Sequence, residues 1–362
     1  MNESKVRILQ QISEFVGPAK EEWVRFLSTH PLASEKAPGC ARDAVACYQK
    51  LLPTGKHIRP FLFSLGHSLG PNQLSDTDKR LASGSIELLH NAFLIHDDIV
   101  DNSALRRGED TVHVAYAKRA KNAGYPGPES EYGKSLALNI GDVGQALAQD
   151  FIFATSASPD LQLQAIRLLN LHLQNTVVGQ LLDLEFTALE DLTEAQVLQI
   201  QTYKTAFYTF VLPLCMGCVL AGGEPRTIAV LEEYGRAVGI AFQIQDDYLG
   251  LFGDERKVGK PVTSDITEGK KTLLMVNAFA KAGSTAREFM KSVHAHPNVS
   301  LDQLEKLRQI VRDSGALGAS DKMASDCVKR AVGVLDRLES DGSPSILETM
   351  RAVANYVIQR ED

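Results

Sequence analysis

Residues 90–108, HNAFLIHDDIVDNSALRRG, contain the pattern that decides the fold. Apolar residues in the first half recur at three- and four-residue spacings, which are typical of an amphipathic helix. Asp97 and Asp101 are four residues apart, so their carboxylates share one face of that helix, with Asp98 beside them. Two consecutive arginines and a glycine end the stretch. The pattern therefore predicts a helix with clustered acids near its carboxyl end and cations directly after it.

Helical periodicity also governs the rest of the 362 residues. Residues 168–186 and 231–249 each carry apolar side chains at helical spacing over about five turns. Alternating strand patterns are scarce, and the sequence has neither a βαβ rhythm nor a glycine-rich dinucleotide fingerprint. A chain of this length often forms about two domains, but no interdomain linker stands out. We predict an all-α fold of about a dozen helices in one large domain, 1–362.

Short breaks divide this predicted domain. An N-terminal helix is expected within residues 1–35, before a break that contains proline and glycine. Residues 122–133 are interpreted as a loop insertion, and residues 253–269 as a second loop rich in Gly, Lys and Asp.

The composition excludes several classes of function. With 45 acidic and 38 basic residues the net charge is −7, so a general nucleic-acid binder is not expected. An anionic ligand must then be held by local clusters of Lys and Arg. No run approaches 18 consecutive apolar residues, and the N-terminus lacks the apolar centre of a signal peptide. We therefore expect no integral membrane segment and a cytoplasmic location.

The five cysteines do not have the pattern of a disulfide framework. Cys215 and Cys218 have CxxC spacing, but they lie in the apolar run VLPLCMGCVLAGG without a second such pair. We interpret them as buried core thiols, and a redox or metal role is the alternative.

The clustered acids Asp97, Asp98 and Asp101 indicate a divalent cation. Carboxylates without cysteines suit a hard ion such as Mg²⁺, which shares its oxygen ligands with substrate phosphates. Arg106 and Arg107 follow at once, and arginines form forked hydrogen bonds with phosphate. A phosphorylated ligand between the acids and the arginines explains both sets. The alternative is an exposed helix end with local salt bridges.

A second acidic cluster repeats this arrangement in FQIQDDYLG, residues 242–250. Gln243, Asp246 and Asp247 lie near the end of an apolar helix. The loop that follows supplies three lysines: Lys260, Lys270 and Lys271. Two acidic helix ends that face each other can hold several Mg²⁺ ions around one diphosphate, because metal ions and lysines offset the negative charge.

A third, basic element lies upstream in TGKHIRP, residues 54–60. Lys56 and Arg59 are three residues apart at the start of an apolar helix. With Arg107 and His90 they are candidates for an anion site that needs no metal. Elsewhere in the chain, the adjacent Lys204 and Thr205 offer a cation and a hydroxyl to another phosphate.

Together these segments resemble the trans-isoprenyl diphosphate synthases, the family that makes farnesyl, geranylgeranyl and longer polyprenyl diphosphates. GKHIRP is similar to the family's GGKRxRP motif, HDDIVD with LRRG to its first aspartate-rich motif, and FQIQDD with GKP and GKKT to its second. YKTAFYTF resembles the family's Lys-Thr element. The resemblance covers nearly the whole chain in family order. It implies an isoprenoid synthase-like helical bundle around a central apolar cavity, with residues 253–269 as an active-site loop.

The resemblance also implies a function and a partner for each site residue. The reaction is the Mg²⁺-dependent condensation of isopentenyl diphosphate with an allylic diphosphate, in a homodimer. Isopentenyl diphosphate is bound by Lys56, Arg59, His90 and Arg107. The allylic diphosphate is bound by Arg106, Lys204, Thr205, Gln243, Lys260 and Lys270. About three Mg²⁺ ions are held by Asp97, Asp101 and Asp246, with Asp98 and Asp247 in support. Catalytic roles are implied for Asp97, Asp101, Lys204, Asp246 and Lys260. Gln180 and Asp183 resemble residues of a helix that faces the cavity.

Two departures from the family motifs concern His57 and Gly250. His57 stands where GGKRxRP has its first arginine, and we expect little effect because Lys56 and Arg59 are present. Gly250 replaces the third aspartate of DDxxD, so a ligand from that position is lost. We expect this loss to change metal affinity more than activity.

The product length depends on the residues below the first aspartates. The resemblance makes the position five residues before Asp97 a determinant of chain length, and that residue is Ala92. Helix geometry places Phe93 roughly 40° from Asp97 and Ala92 roughly 140° away. Phe93 is thus a second candidate for the cavity floor, or a core residue. Since Ala92 leaves room for a longer tail, we expect a C20 product, geranylgeranyl diphosphate. A farnesyl or longer polyprenyl product is the alternative.

Two further functions stay open from the sequence. A class I terpene cyclase also uses an aspartate-rich helix and Mg²⁺, but it needs no isopentenyl diphosphate site. A non-catalytic partner subunit need not keep its metal ligands, and only Gly250 favours that interpretation.

Overall fold

The computed structural model describes residues 3–189, 191–253, 262, 264–339 and 343–360. Apart from one two-stranded hairpin, the described chain is helical, which confirms the predicted all-α fold. The chain divides into two compact units. Unit 1 comprises Met1–Ile8, Leu168–Cys215 and Glu224–Asp362, and unit 2 comprises Leu9–Arg167 and Met216–Gly223. The organisation of residues 1–362 as a single domain stays a prediction.

The first helices lie mainly in unit 2. They are α1 (Glu3–Thr29), α2 (Gly39–Leu51), α3 (Ile58–His67), α4 (Asp76–Val100), α5 (Val112–Asn122), α6 (Glu129–Phe153) and the start of α7 (Pro159–Thr187). A 3₁₀ turn, Pro31–Ala33, follows α1, and strands β1 (Leu105–Arg106) and β2 (Glu109–Asp110) form the hairpin between α4 and α5.

Unit 1 begins within α7 and contains most of the later helices. They are α8 (Glu194–Ile200), a π-helix (Gln201–Val211), α9 (Leu212–Leu220), α10 (Pro225–Phe252), α11 (Ser264–Thr267), α12 (Leu273–Lys281), α13 (Ser284–Val293), α14 (Leu301–Asp313), α15 (Ala316–Val334) and α16 (Pro344–Tyr356). The end of α9 belongs to unit 2. A 3₁₀ turn, Leu335–Leu338, follows α15.

Helix α4 is the central element of unit 2. Its first turn is capped by Ser75, whose Oγ accepts a hydrogen bond from the N–H of Asp78 at 3.0 Å. The helix packs against α3 and α6 and buries an almost continuous run from Ala82 to Ala92. Burial on most of its circumference leaves only the two ends of the helix open to solvent, and the clustered acids Asp97 and Asp101 lie at its carboxyl end.

Helix α10 has the corresponding place in unit 1. It packs against the π-helix and α15, and Tyr234 in its middle is fully buried. The Tyr234 hydroxyl donates a hydrogen bond to the carbonyl of Met350 at 2.7 Å, which ties α10 to α16. The second acidic cluster thus lies on a helix fixed by its neighbours.

Two predicted boundaries differ from the structure. The N-terminal helix, Glu3–Thr29, lies within the residues 1–35 expected for it, and Pro31–Ala33 form the 3₁₀ turn. The loop predicted at 122–133 is shorter, because α6 already begins at Glu129, where acids in the first turn favour helix initiation. Within the loop predicted at 253–269, Ser264–Thr267 form a short helix.

One described helical stretch has the length and apolar composition of a membrane span. The stretch Glu194–Leu220 contains a window of mean hydropathy 1.3, and 78% of that window is buried inside the protein. A buried core helix satisfies the same criterion, so the stretch is weak support for a span.

A close contact in unit 2 generates a prediction about stability. A Cβ atom at Gly84 would overlap the rings of Trp23 and Phe151, both fully buried. Gly84→Ala should therefore lower the free energy of unfolding by about 1–3 kcal/mol, measured by urea denaturation. The control is Gly17→Ala in α1, where nothing lies within 4 Å, and which should be neutral or stabilising. Equal stability of Gly84→Ala and wild type would contradict the packing.

Candidate active site

The first acidic cluster lies at the carboxyl end of α4, as predicted. Asp97 and Asp101 are half-buried, and the N–H of Asp101 donates to the carbonyl of Asp97 at 2.8 Å. Asp98 points elsewhere: it is buried and forms an ion pair with Arg106 at 2.5 Å. Burial raises the pKa of Asp98, and the bonds from Arg106 oppose that rise. Asp98 therefore anchors an arginine inside unit 2, whereas Asp97 and Asp101 lie half-buried at the end of the helix.

A tight hairpin after α4 aims the two arginines at different targets. Arg107 and Gly108 have φ angles of 55° and 82°, as a two-residue turn with both central residues left-handed requires. Arg106, before the turn, bonds Asp98. Arg107 donates instead to the hydroxyl of Thr54, beside Gly55 in the loop that leads to α3. The sequence did not predict this hairpin, although the Arg-Gly dipeptide is its local signal.

The cations predicted to bind isopentenyl diphosphate gather in unit 2. His90 is buried near the positive charges of Arg59, Arg107 and Arg106. Burial, with those charges, holds the pKa of His90 well below its ordinary value, so the imidazole is neutral near pH 7. Lys56 is exposed at the edge of the loop that precedes α3. The structure therefore brings Arg59, His90 and Arg107 into one cluster.

His57, the first departure from the family motif, is buried below this cluster. Its backbone is left-handed with φ 52°, and its ring packs on Trp23 with centroids 5.7 Å apart. Its Nε2 atom lies 2.8 Å from the carbonyl of Leu52, to which the ring donates. Burial lowers the pKa of His57 to about 4. A neutral group thus stands where the motif has an arginine.

The Lys-Thr element lies on the π-helix of unit 1. A Cβ at Gly179 would overlap the backbone of Lys204, and one at Gly239 would overlap Ala206. The π-helix is thus held between α7 and α10 at a distance that only glycines permit. Lys204 forms an ion pair with Asp183 at 2.5 Å, and π-helical segments are frequent at functional sites.

Asp247 is held inside unit 1 by amide groups. Its two carboxylate oxygens accept from Gln243 Nε2 at 2.9 Å and Gln201 Nε2 at 3.0 Å. Thr205 in turn donates to Gln243 Oε1 at 2.8 Å. Burial raises the pKa of Asp247 to about 7, and the charges of Asp246 and other acids add to this rise. Asp247 therefore orients Gln243 and, through it, Thr205.

Asp246 has a partner that the sequence did not reveal. Arg360 donates to Asp246 Oδ1 at 2.7 Å and to the carbonyl of Phe242 at 3.2 Å. Its guanidinium lies 3.8 Å from the centre of the Phe242 ring, and the residue is 7% exposed. No motif marks an arginine so far along the chain, so only the fold could identify this contact.

Gly250, the second departure from the family motif, leaves room for a carboxylate from elsewhere in the chain. A Cβ at position 250 would overlap the Asp265 carboxylate, which comes from α11. Asp265 also raises the pKa of Asp247, as a nearby negative charge does. A carboxylate therefore lies beside the second acidic cluster although the motif lacks its third aspartate. The sequence analysis missed Asp265, whose only signal was its place before GKKT.

The remaining site residues of unit 1 are placed as follows. Lys270 forms ion pairs with Glu268 at 2.8 Å and Asp265 at 3.6 Å. Gln180 is half-buried on α7, one residue after Gly179. Lys260 lies outside the residues that the structure describes.

The chain-length candidates occupy adjacent positions on α4. Ala92 is fully buried in unit 2, whereas Phe93 is half-buried. This burial fits the small side chain at position 92, and Phe93 as the cavity floor stays a prediction.

The described residues contain no group of three or more His, Cys, Asp or Glu side chains placed to hold a metal ion. Mg²⁺ commonly uses one or two carboxylates and completes its shell with water and substrate phosphate. Asp97 and Asp101, which share one helix face, fit that donor set.

All five cysteines carry free thiols, and Cys215 and Cys218 are fully buried, as predicted.

Comparisons with known proteins agree with this fold. The sequence model of the family described as "Polyprenyl synthetase" matches residues 43–311. A short chain isoprenyl diphosphate synthase of Methanothermobacter thermautotrophicus is 33% identical over 85% of this chain and 87% of its own. A geranylgeranyl diphosphate synthase of Sulfolobus acidocaldarius is 29% identical over 87% of this chain and 90% of its own. A geranylfarnesyl diphosphate synthase of Aeropyrum pernix is 33% identical over 84% and 90%.

A solved structure supports the same assignment. The geranylgeranyl pyrophosphate synthase of Corynebacterium glutamicum, complexed with isoprenyl diphosphate and magnesium, matches with a TM-score of 0.88 and 27% identity. The match covers 96% of this chain and 99% of that chain. The fold and the site thus define a trans-prenyltransferase. The chain belongs to the polyprenyl synthetase family.

The close approach of Asp265 to Gly250 leads to a prediction: restoring the third aspartate of the DDxxD motif lowers activity. Restoring the third aspartate with Gly250→Asp should reduce prenyl transfer about tenfold, because the new side chain overlaps and repels Asp265. The double variant Gly250→Asp/Asp265→Ala should recover most of the activity. The control, Gly318→Asp on α15 with open space around it, should leave the rate unchanged. Higher activity of Gly250→Asp than of wild type would contradict this arrangement.

Proposed function

We propose that this enzyme condenses isopentenyl diphosphate with C5 to C15 allylic diphosphates and releases geranylgeranyl diphosphate, C20. The observation that carries the proposal is the position of Arg106 in unit 2. Arg106 pairs with Asp98 and interacts with the charges of Asp97 and Asp101, and it also adjoins buried His90. A metal-binding face and a cation cluster therefore meet at one end of α4, as a diphosphate reaction requires.

Isopentenyl diphosphate is assigned to three cations and one histidine of unit 2, namely Lys56, Arg59, Arg107 and His90. Arg107 is held by Thr54 at the end of a rigid two-residue turn, so its guanidinium is oriented before the ligand binds. Neutral His90 contributes a ring hydrogen bond rather than a charge, since burial holds its pKa low.

The allylic diphosphate is assigned to Arg106, Lys204, Thr205, Gln243, Lys260 and Lys270. In unit 1, Lys204 is paired with Asp183 and Thr205 with Gln243, so both groups are fixed on the π-helix. Cations and hydroxyls held in place before binding stabilise the negative charge that develops on the departing diphosphate.

The carboxylates of Asp97, Asp101 and Asp246 are proposed to hold about three Mg²⁺ ions, with Asp98 and Asp247 orienting their neighbours. When bound, Mg²⁺ neutralises the diphosphate and favours its departure. Arg360 donates to one oxygen of the Asp246 carboxylate, so a cation bound at Asp246 competes with this arginine for the carboxylate. Asp265 beside Gly250 adds negative charge to the same cluster.

The proposed reaction joins the two substrates and sets the length of the product. The double bond of isopentenyl diphosphate attacks the allylic carbon, and the departing diphosphate takes the proton, because the site motifs contain no other obvious base. The helices exclude water from the reacting carbons. The C20 length follows from Ala92, whose methyl group leaves more room below Asp97 than a bulky residue.

The principal experiment incubates the purified protein with Mg²⁺, labelled isopentenyl diphosphate and C5, C10 or C15 primers, and sizes the dephosphorylated alcohols. A discrete C20 alcohol is expected from each primer. Asp97→Ala and Asp246→Ala should each reduce turnover by about a thousandfold without a change in melting temperature. The control is Asp160→Ala on an exposed turn of α7.

The outcomes separate the parts of the proposal. A C15 product would keep the reaction and move the cavity floor to Phe93, and a C25 product would overturn the role of Ala92. Absence of isopentenyl incorporation by folded protein would overturn the synthase and favour a cyclase or a silent subunit.

A homodimer is also proposed, and α7 offers a surface for it. Leu171, Val178, Leu181 and Leu184 form a stripe in unit 1, and each is 42–59% exposed. A contiguous apolar stripe is typical of an interface between subunits. A cytoplasmic location accompanies this proposal.

The stripe generates a prediction about oligomeric state. Wild type should sediment as a dimer, and Leu181→Glu should shift it towards monomer by placing a charge in the interface. Leu301→Glu, at an isolated position that is 77% exposed, should remain dimeric. Analytical ultracentrifugation distinguishes these outcomes, and a dimeric Leu181→Glu would place the interface elsewhere.

A further inference from the structure

Glu87 is a fully buried acid beneath the cation cluster of unit 2. It lies on α4, one turn before His90, and is 2% exposed. Its Oε2 atom is buried without a hydrogen-bond partner. A buried carboxylate with an unsatisfied oxygen is costly, so its retention calls for an explanation.

Charged groups act on Glu87 from three other elements of unit 2. Lys20 comes from α1, Arg59 from α3 and Arg107 from the hairpin, and all three favour the ionised carboxylate. His57 lies 3.9 Å away through Nε2, but that nitrogen already donates to Leu52. His90 follows on the same helix. Because burial keeps both histidines neutral near pH 7, only the three cations offset the charge of Glu87.

We propose that Glu87 is a positioning residue that takes up a proton from solvent when a diphosphate binds at Arg59 and Arg107. The proposal rests on the proposed function of this cluster as the isopentenyl diphosphate site. Before binding, ionised Glu87 supplies a counter-charge to the two guanidinium groups. After binding, the diphosphate supplies the counter-charge, and a second negative charge beneath the arginines becomes unfavourable.

The electrostatics around Glu87 determine how proton uptake on binding depends on pH. Burial raises the pKa of Glu87 to about 7, although Arg59, Arg107 and Lys20 lower it. The free protein therefore carries ionised Glu87 above about pH 7. A bound diphosphate cancels the stabilising effect of the arginines and raises the pKa of Glu87 further. Linkage then requires that affinity for isopentenyl diphosphate falls as pH rises above about 7.

The test compares wild type with Glu87→Gln, which keeps the shape and removes the charge. From about pH 7 to about pH 8.5, KM for isopentenyl diphosphate should rise about tenfold more in wild type than in Glu87→Gln. The turnover number should follow the same pH profile in both proteins. Glu288→Gln on α13, an exposed site, should behave as wild type. Parallel KM profiles for wild type and Glu87→Gln would overturn the proposal.

A second measurement needs no variant. Isopentenyl diphosphate is titrated calorimetrically into wild type, without a primer, in two buffers of different ionisation enthalpy at about pH 8.5. The free diphosphate is ionised there, so net proton uptake must come from the protein. Uptake of a fraction of a proton is expected, and zero uptake would overturn the proposal.

A third measurement separates this proposal from the assignment of the site. Without ligand, Glu87→Gln should melt above wild type at about pH 8.5, and this advantage should disappear at about pH 5, where Glu87 is protonated. A pH-dependent advantage in a protein that does not bind isopentenyl diphosphate would overturn the site assignment and leave the buried charge established. If wild type is active but its KM for isopentenyl diphosphate does not change with pH, the role of Glu87 is overturned and the site assignment stands.

Discussion

The ion pair between Asp98 and Arg106 is the constraint on which the candidate site of unit 2 depends. It joins the buried flank of α4 to the hairpin that follows, across a separation of eight residues. With Arg106 fixed, the two-residue turn directs Arg107 the other way, towards Thr54 and Gly55. The same pair turns Asp98 away from Asp97 and Asp101. Through Arg106, this one contact joins the acidic end of α4 to the basic cluster around His90.

The candidate residues of unit 1 are held by hydrogen bonds to a buried carboxylate. Asp247 accepts from two glutamine amides, and one of these glutamines also accepts from Thr205. This network orients the Thr205 hydroxyl, and burial raises the pKa of the Asp247 carboxyl to about 7. In each unit, the second aspartate of the DD pair is buried and the first is half-buried.

Much of the fold and many of the site residues were predictable, because the information was local. Helical spacing gave the all-α class, and the four-residue interval between Asp97 and Asp101 gave their shared face. The chain's place in the polyprenyl synthetase family also followed from short motifs, and the family match over residues 43–311 confirms it.

The rest depended on contacts between distant positions. Arg360 meets Asp246, and Glu87 lies under Arg59 and Arg107, but no spacing rule connects them. The loop boundaries near residues 129 and 264 were missed because weak helix-start signals lie within Gly- and Pro-rich stretches.

The pair formed by Gly250 and Asp265 bears on how such sites change through evolution. A Cβ atom at position 250 would overlap the carboxylate end of the Asp265 side chain, so Asp265 has to move when position 250 carries an aspartate. The effect of an acid at position 250 therefore depends on the residue at position 265. Chains of this family that differ at the third aspartate are best compared as pairs of positions rather than single sites.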